Sequence, residues 1–157
     1  MKKLIVPKKL SAGDTVAFIS LSGGRAGDAD MLPRYETGKR RFEETFNVKV
    51  IETPHALMGS EFLYEHPEKR AEDLMWALKN DAVKGIVCNM GGDDSYRVLP
   101  FIDTKVIHDN PKVFMGYSDI ANWMAVFAYA GVSHRGRFLL TQNESLGTVL
   151  SDSMKCL

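Results

Sequence analysis

One serine stands where a hydroxyl group can do chemistry. Ser118, in Gly116-Tyr117-Ser118-Asp119, follows the apolar run Lys112-Val113-Phe114-Met115 and precedes a stretch with helical periodicity. A serine at a sharp strand-to-helix elbow has its hydroxyl pushed into the open. The next backbone N–H faces the same space, and the helix start adds positive potential. Acyl transfer needs those two things, an exposed nucleophile and donors for the oxyanion. Gly116 permits the tight approach, but Ile120 stands where the G-x-S-x-G pattern has its second glycine. Ser118 would equally satisfy an ordinary helix N-cap, and spacing alone favours that reading.

A second cluster is Met90-Gly91-Gly92-Asp93-Asp94-Ser95. Paired glycines after a strand let backbone N–H groups face a ligand without side-chain obstruction. Neither G-x-G-x-x-G nor G-x-x-x-x-G-K-[ST] is present, so a phosphate cradle has no motif behind it. A structural turn and an oxyanion donor facing Ser118 from the neighbouring strand both remain open. Asp93 and Asp94 have no histidine or further carboxylate at useful spacing, which points to a solvated helix start rather than a metal site. The histidines are scattered. His66 before Pro67 reads as a helix start, His108 as part of a polar loop, and His134 lies beyond the last clear helix; neither these nor His55 gains a triad role from sequence.

The elements that must position these groups alternate between short apolar runs and helical ones. Thr15–Ser20, Val48–Ile51, Gly85–Met90 and Lys112–Met115 read as strands. Pro33 opens a helix with Tyr35, Phe42 and Phe46 on one face, and Pro67 opens another with Ala71, Leu74 and Leu78 aligned. Thr53 to His66 is expected to be a long connection and Asp94 to Ile102 a short helix. Ile120, Trp123, Met124 and Phe127 form the apolar face of a last helix. The alternation predicts an α/β fold, a doubly wound, mostly parallel sheet with flanking helices. Ligands gather at the carboxyl ends of strands in such sheets, which directs attention to Leu21–Asp30, Gly91–Asp94 and Gly116–Asp119. From Ser133 to Leu157 only Phe138-Leu139-Leu140 suggests a further apolar element.

Composition sets the outer bounds. The 157 residues suit one domain with a real core, and 45% are hydrophobic, which excludes a disordered tail. Lysine plus arginine equals aspartate plus glutamate at 20 each, so charge gives no reason to expect nucleic acid or an anionic membrane as partner. Lys39-Arg40-Arg41 reads as a solvated helix face. Cys88 and Cys156 form no CxxC pair, which leaves a zinc site or disulfide framework without basis. No apolar run reaches the length of a membrane span and the start has no signal-peptide core, so a cytoplasmic location is the default expectation.

Four segments in order then resemble one family. Asn110-Pro111-Lys112-Val113-Phe114-Met115-Gly116-Tyr117-Ser118-Asp119 is similar to the serine-peptidase family of LD-carboxypeptidases and microcin C immunity proteins. So are Gly91-Gly92-Asp93-Asp94-Ser95 through Asp103, the opening Pro7 to Val16, and Met58-Gly59-Ser60 through Leu74. The similarity covers about residues 5–132, and residues 1–132 are expected to be an N-terminal nucleophile domain with a flavodoxin-like sheet. Residues 133–157 are expected to be an atypical tail. The resemblance implies a nucleophile at Ser118 and backbone oxyanion donors at Asp119, Gly91 and Gly92. It implies metal-free hydrolysis through an acyl-enzyme, without cofactor. The substrates it implies are peptides with an L-to-D amide bond, as in murein tetrapeptides, or peptidyl nucleotides related to microcin C. The Asn-Pro-Lys segment looks closer to the immunity branch.

The departures matter as much. The family's triad Glu and His come from a second, C-terminal domain, and its Phe-x-Gly-Pro pattern is replaced here by Ser133-His134-Arg135-Gly136-Arg137. His134 and Glu144 are tempting substitutes that no motif supports. The chain alone is therefore expected to hydrolyse poorly. The competing expectations are a non-catalytic module, binding a peptide or pairing with another subunit as a homodimer, and a flavodoxin-like nucleotide binder, which lacks a phosphate motif.

Overall fold

β1 (Thr15–Ile19) is apolar and buried from Val16 onward because two core layers share it. In the computed structural model, which describes residues 4–133, Ala17 and Ile19 enter one layer and Val16 and Phe18 the other. Strand side chains alternate between faces, so a strand covered on both sides must be hydrophobic throughout. β2 (Lys49–Glu52) and β3 (Val83–Cys88) flank β1 in parallel, and β4 (Val113–Met115) pairs in parallel outside β3. The order β2-β1-β3-β4 is the expected doubly wound, flavodoxin-like arrangement.

The larger layer packs α3 (Pro67–Lys79), α4 (Thr104–Asp109) and α5 (Trp123–Tyr129) on the sheet through Leu74, Leu78, Ile107, Trp123 and Phe127, all buried. The smaller layer packs α1 (Leu32–Phe46), with Phe42 set edge-on to Phe18 at 5.1 Å between ring centroids. Burying one such phenyl ring stabilises the fold by about 1.5–3 kcal/mol. α1 carries proline in its first turn and ends at Asn47, whose φ of 50° is the left-handed backbone that closes helices. Lys39 departs from the solvated face expected of it: it pairs with Glu52 at 2.6 Å, and this ion pair ties α1 to β2.

Two local expectations are corrected and two are narrowed. The connection from Thr53 to His66 holds a helix, α2 (Ser60–Glu65). Its start is capped from elsewhere in the chain, which is why its own residues carry no signal: Asp28 accepts from the Ser60 amide at 2.7 Å and from its hydroxyl at 2.8 Å. These bonds, the backbone one foremost, hold the Asp28 carboxyl below its ordinary range. His108 lies in the last turn of α4 rather than in a loop, and Asp103 caps that helix by accepting from Lys105 N. The stretch after Asp94 is a 3-10 helix over Ser95–Phe101, tighter than an α-helix. The third strand starts at Val83 and ends at Cys88. The sequence expectations for Phe138–Leu140, His134, Glu144 and Cys156 fall outside the described residues. Among the described residues no helix is long and apolar enough to cross a membrane.

What this arrangement does is align strand ends. Ile19 is opposite Cys88 and Val87 opposite Met115, so β1, β3 and β4 release their chains side by side. The sheet order reverses between β1 and β3, and in open parallel sheets ligands bind outside the strand carboxyl ends at such a reversal. The loop after β1 is fixed against the 57–60 turn: a Cβ on Gly27 would lie 2.3 Å from the Leu57 carbonyl oxygen, and one on Gly24 2.8 Å from that of Gly59. Gly27→Ala should therefore cost about 1–3 kcal/mol, read by urea unfolding; a loss below about 0.5 kcal/mol, the range of neutral surface changes, would show that this contact yields.

Candidate active site

β4 ends at Met115 and the chain turns within a few residues into a 3-10 helix over Ser118–Asn122, which continues into α5. The turn is made by forcing one backbone. Ser118 has φ +59°, and Asn47 is the other non-glycine residue with positive φ among those described. The left-handed region costs an L-residue about 1–2 kcal/mol, so neighbours must impose it. One of them is Ile120, which folds back over Gly116: a Cβ at Gly116 would lie 2.3 Å from Ile120 Cγ2. The isoleucine in place of the pattern's second glycine is thus part of the elbow's own packing.

The helix-cap reading of Ser118 fails on this geometry. The cap position is Tyr117, in extended conformation, and no side chain caps the helix. Ser118 is exposed, and its hydroxyl makes no hydrogen bond within the described residues. The Gly91-Gly92 turn lies directly against it. A Cβ on Gly91 would be 2.7 Å from Ser118 Cβ and 3.2 Å from its Oγ, so any larger residue would displace the elbow. Gly92 abuts the other side, where a Cβ would meet Ser22 Oγ at 2.3 Å and Gly23 N at 2.8 Å.

Asp119, next in the chain, turns its carboxylate back into the protein. It accepts from the Ser22 hydroxyl at 2.7 Å and from the Ser95 amide at 2.8 Å. Burial pushes this carboxyl up, but the Ser22 and Ser95 hydrogen bonds outweigh it and leave the group below its ordinary range. Ser22 also lies 3.3 Å from Asp94. Asp94 is not the solvated helix start that the sequence suggested, whereas Asp93 is exposed. Arg70 of α3, with its side chain fully buried, grips Asp94 with two hydrogen bonds of 3.0 Å and donates to the Leu21 carbonyl at 3.3 Å. Breaking such a pair from one side costs about 3–5 kcal/mol. Sequence reasoning missed both Ser22 and Arg70. Arg70 had a signal: it sits one residue before Ala71 and four before Leu74, on the buried face of its helix. Ser22 had none.

The histidines are engaged elsewhere. His55 Nδ1 meets Asp73 at 2.8 Å, His66 Nδ1 meets Glu68 at 3.0 Å, and His108 Nδ1 meets Asp109 at 3.1 Å. The Asp73 carboxyl is raised by burial against the opposing pull of Thr53 and His55. His66 starts α3 without a side-chain cap bond. No histidine is bonded to Ser118 among the described residues. Cys88 is buried at the end of β3, and burial pushes its thiol up. No three His, Cys, Asp or Glu side chains among the described residues gather to hold a metal.

Comparison with known proteins places this geometry in context. A family model described as the LD-carboxypeptidase N-terminal domain matches residues 16–134. The chain is 33% identical over 117 residues to a probable murein peptide carboxypeptidase of Bacillus subtilis, covering 73% of this chain and 34% of that protein. It is 31% identical over 130 residues to the microcin C7 self-immunity protein MccF of Escherichia coli, covering 78% of this chain and 35% of that protein. The crystal structure of an MccF-like protein from Streptococcus pneumoniae in complex with AMP superimposes with a TM-score of 0.70 at 32% identity, over 76% of this chain and 36% of that one. The chain thus spans about a third of the length of these relatives.

The strained backbone gives a direct test. Glycine adopts φ +59° without steric cost, so Ser118→Gly should raise stability by about 1 kcal/mol while Ser118→Ala, which keeps the Cβ, should not. Equal effects of the two in urea titrations would show that the left-handed conformation is not held in solution.

Proposed function

The chain belongs to the LD-carboxypeptidase N-terminal domain family, and from that premise we propose that residues 1–132 form the nucleophile domain of a serine hydrolase, with Ser118 as nucleophile. The observation that carries this reading is an exposed serine in left-handed backbone with a glycine turn pressed against it. That is the arrangement acyl transfer needs and a structural turn does not.

In the proposed reaction Ser118 Oγ attacks the carbonyl carbon of a peptide bond. A C–O bond forms, the carbonyl electrons move onto oxygen, and the backbone N–H groups of Asp119 and of Gly91 and Gly92 receive that charge. Collapse of the tetrahedral species breaks the C–N bond and leaves an acyl-serine, which water hydrolyses. The Oγ proton must pass to a base and then to the leaving amine. The described residues supply no such base at Ser118, and the family resemblance assigns the Glu and His of the triad to a C-terminal domain. Two substrate classes are drawn from the relatives: murein-type peptides, and peptidyl nucleotides, whose nucleotide moiety is supported by the AMP complex of the streptococcal protein.

The purified 157-residue chain should bind an L,D-tetrapeptide or an aminoacyl sulfamoyl adenosine saturably and hydrolyse the tetrapeptide no faster than its Ser118→Ala variant. Gly91→Val should abolish binding. Calorimetry and product analysis read both. Binding of neither ligand, or binding indifferent to Gly91→Val, would sink the proposal. Turnover abolished by Ser118→Ala would keep the nucleophile and place the base within this chain.

A further inference from the structure

Ser22 lies under the elbow, 1% exposed, and touches both components of the proposed site. Its hydroxyl donates to Asp119 Oδ2 at 2.7 Å, and its oxygen fills the space that a Cβ on Gly92 would need, at 2.3 Å. Asp94 stands 3.3 Å from the same hydroxyl and is itself anchored by buried Arg70. A hydroxyl has one proton, and the shorter contact shows that it goes to Asp119. Asp94, ion-paired with Arg70, stands behind the oxygen. The Ser95 amide completes the hold on Asp119 at 2.8 Å. Three separate segments, the loops after β1, β3 and β4, therefore meet at one serine, and helix α3 reaches it through Asp94.

We propose that Ser22 is a positioning residue for the Ser118 elbow. Resting on the nucleophile reading above, the claim is that Ser22 fixes two things at once. By pinning the Asp119 carboxylate it keeps that negative charge turned away from Ser118 and aims the Asp119 backbone N–H at the reacting oxygen. By backing Gly92 it sets how closely the glycine turn approaches. A serine is suited to both tasks, because its hydroxyl bonds the carboxylate and its size just fits beneath a residue without a side chain.

The test replaces the nucleophile by a thiol, whose ionisation reports the same local field without needing a base. In a Ser118→Cys chain, alkylation by iodoacetamide is followed against pH with peptide-resolved mass spectrometry, so that Cys88 and Cys156 are read separately. The thiol introduced at position 118 should titrate below the ordinary thiol value of about 8.5. Adding Ser22→Ala should raise the midpoint and slow alkylation at neutral pH about threefold or more, which corresponds to half a pKa unit or more, in protein that still melts cooperatively. Ser22→Gly provides the second variant should Ser22→Ala fail to fold, and it should raise the midpoint in the same direction. A midpoint lowered in the Ser118→Cys chain but unmoved by both Ser22→Ala and Ser22→Gly would overturn the positioning role and leave the elbow standing. An ordinary thiol value in the Ser118→Cys chain itself would overturn the nucleophile reading, and the positioning role with it.

Discussion

A serine in left-handed backbone does not hold itself there. The cost of about 1–2 kcal/mol is met by contacts on three sides of Ser118. Gly116 admits Ile120 behind it, Gly91 closes against its Cβ, and the Asp119 side chain is drawn back into a buried polar cluster. Each contact requires a particular residue size. A methyl group at either glycine would meet neighbouring atoms well inside van der Waals contact. The geometry of the elbow is therefore set by what is absent at positions 91 and 116 as much as by what is present at 118.

The sheet makes those contacts possible. With β1, β3 and β4 parallel and their ends in register, three loops leave the same edge within reach of one another. The packing that secures this edge is apolar below and polar above. Leu74, Ile86, Phe114 and Trp123 fill the layer beneath. Above it, Arg70, Asp94, Ser22 and Asp119 connect the loops. A buried arginine paired to a carboxylate adds little net stability, but it fixes where that carboxylate sits, and the chain of contacts from Asp94 through Ser22 to Asp119 depends on that position.

Much of this was legible in the sequence. Apolar runs separated by amphipathic stretches identified the parallel α/β sheet, and the glycine and serine turns pointed to its carboxyl edge. The places where reading failed share a physical cause. Helix α2 is capped by Asp28, far away in the chain, so nothing in its own residues announced it. Ser118 satisfied the chemistry of a cap on paper, but its φ places it one residue past the cap position. Asp94 looked solvated because its partner, Arg70, comes from another helix. Local pattern reports local structure, whereas the cluster that braces the elbow is assembled entirely from long-range contacts.

The central claim is that Ser118, Asp119 and the Gly91-Gly92 turn together form a site for a tetrahedral oxyanion. A crystal structure of the chain with a peptidyl boronic acid tests it most directly, since boron becomes tetrahedral on bonding to a serine oxygen. The expected result is boron bonded to Ser118 Oγ, with one boronate oxygen about 2.7–3.1 Å from the backbone nitrogen of Asp119 and from one in the Gly91-Gly92 turn. Boron bonded to Ser118 with that oxygen facing solvent, or no adduct at Ser118 at saturating inhibitor, would contradict it.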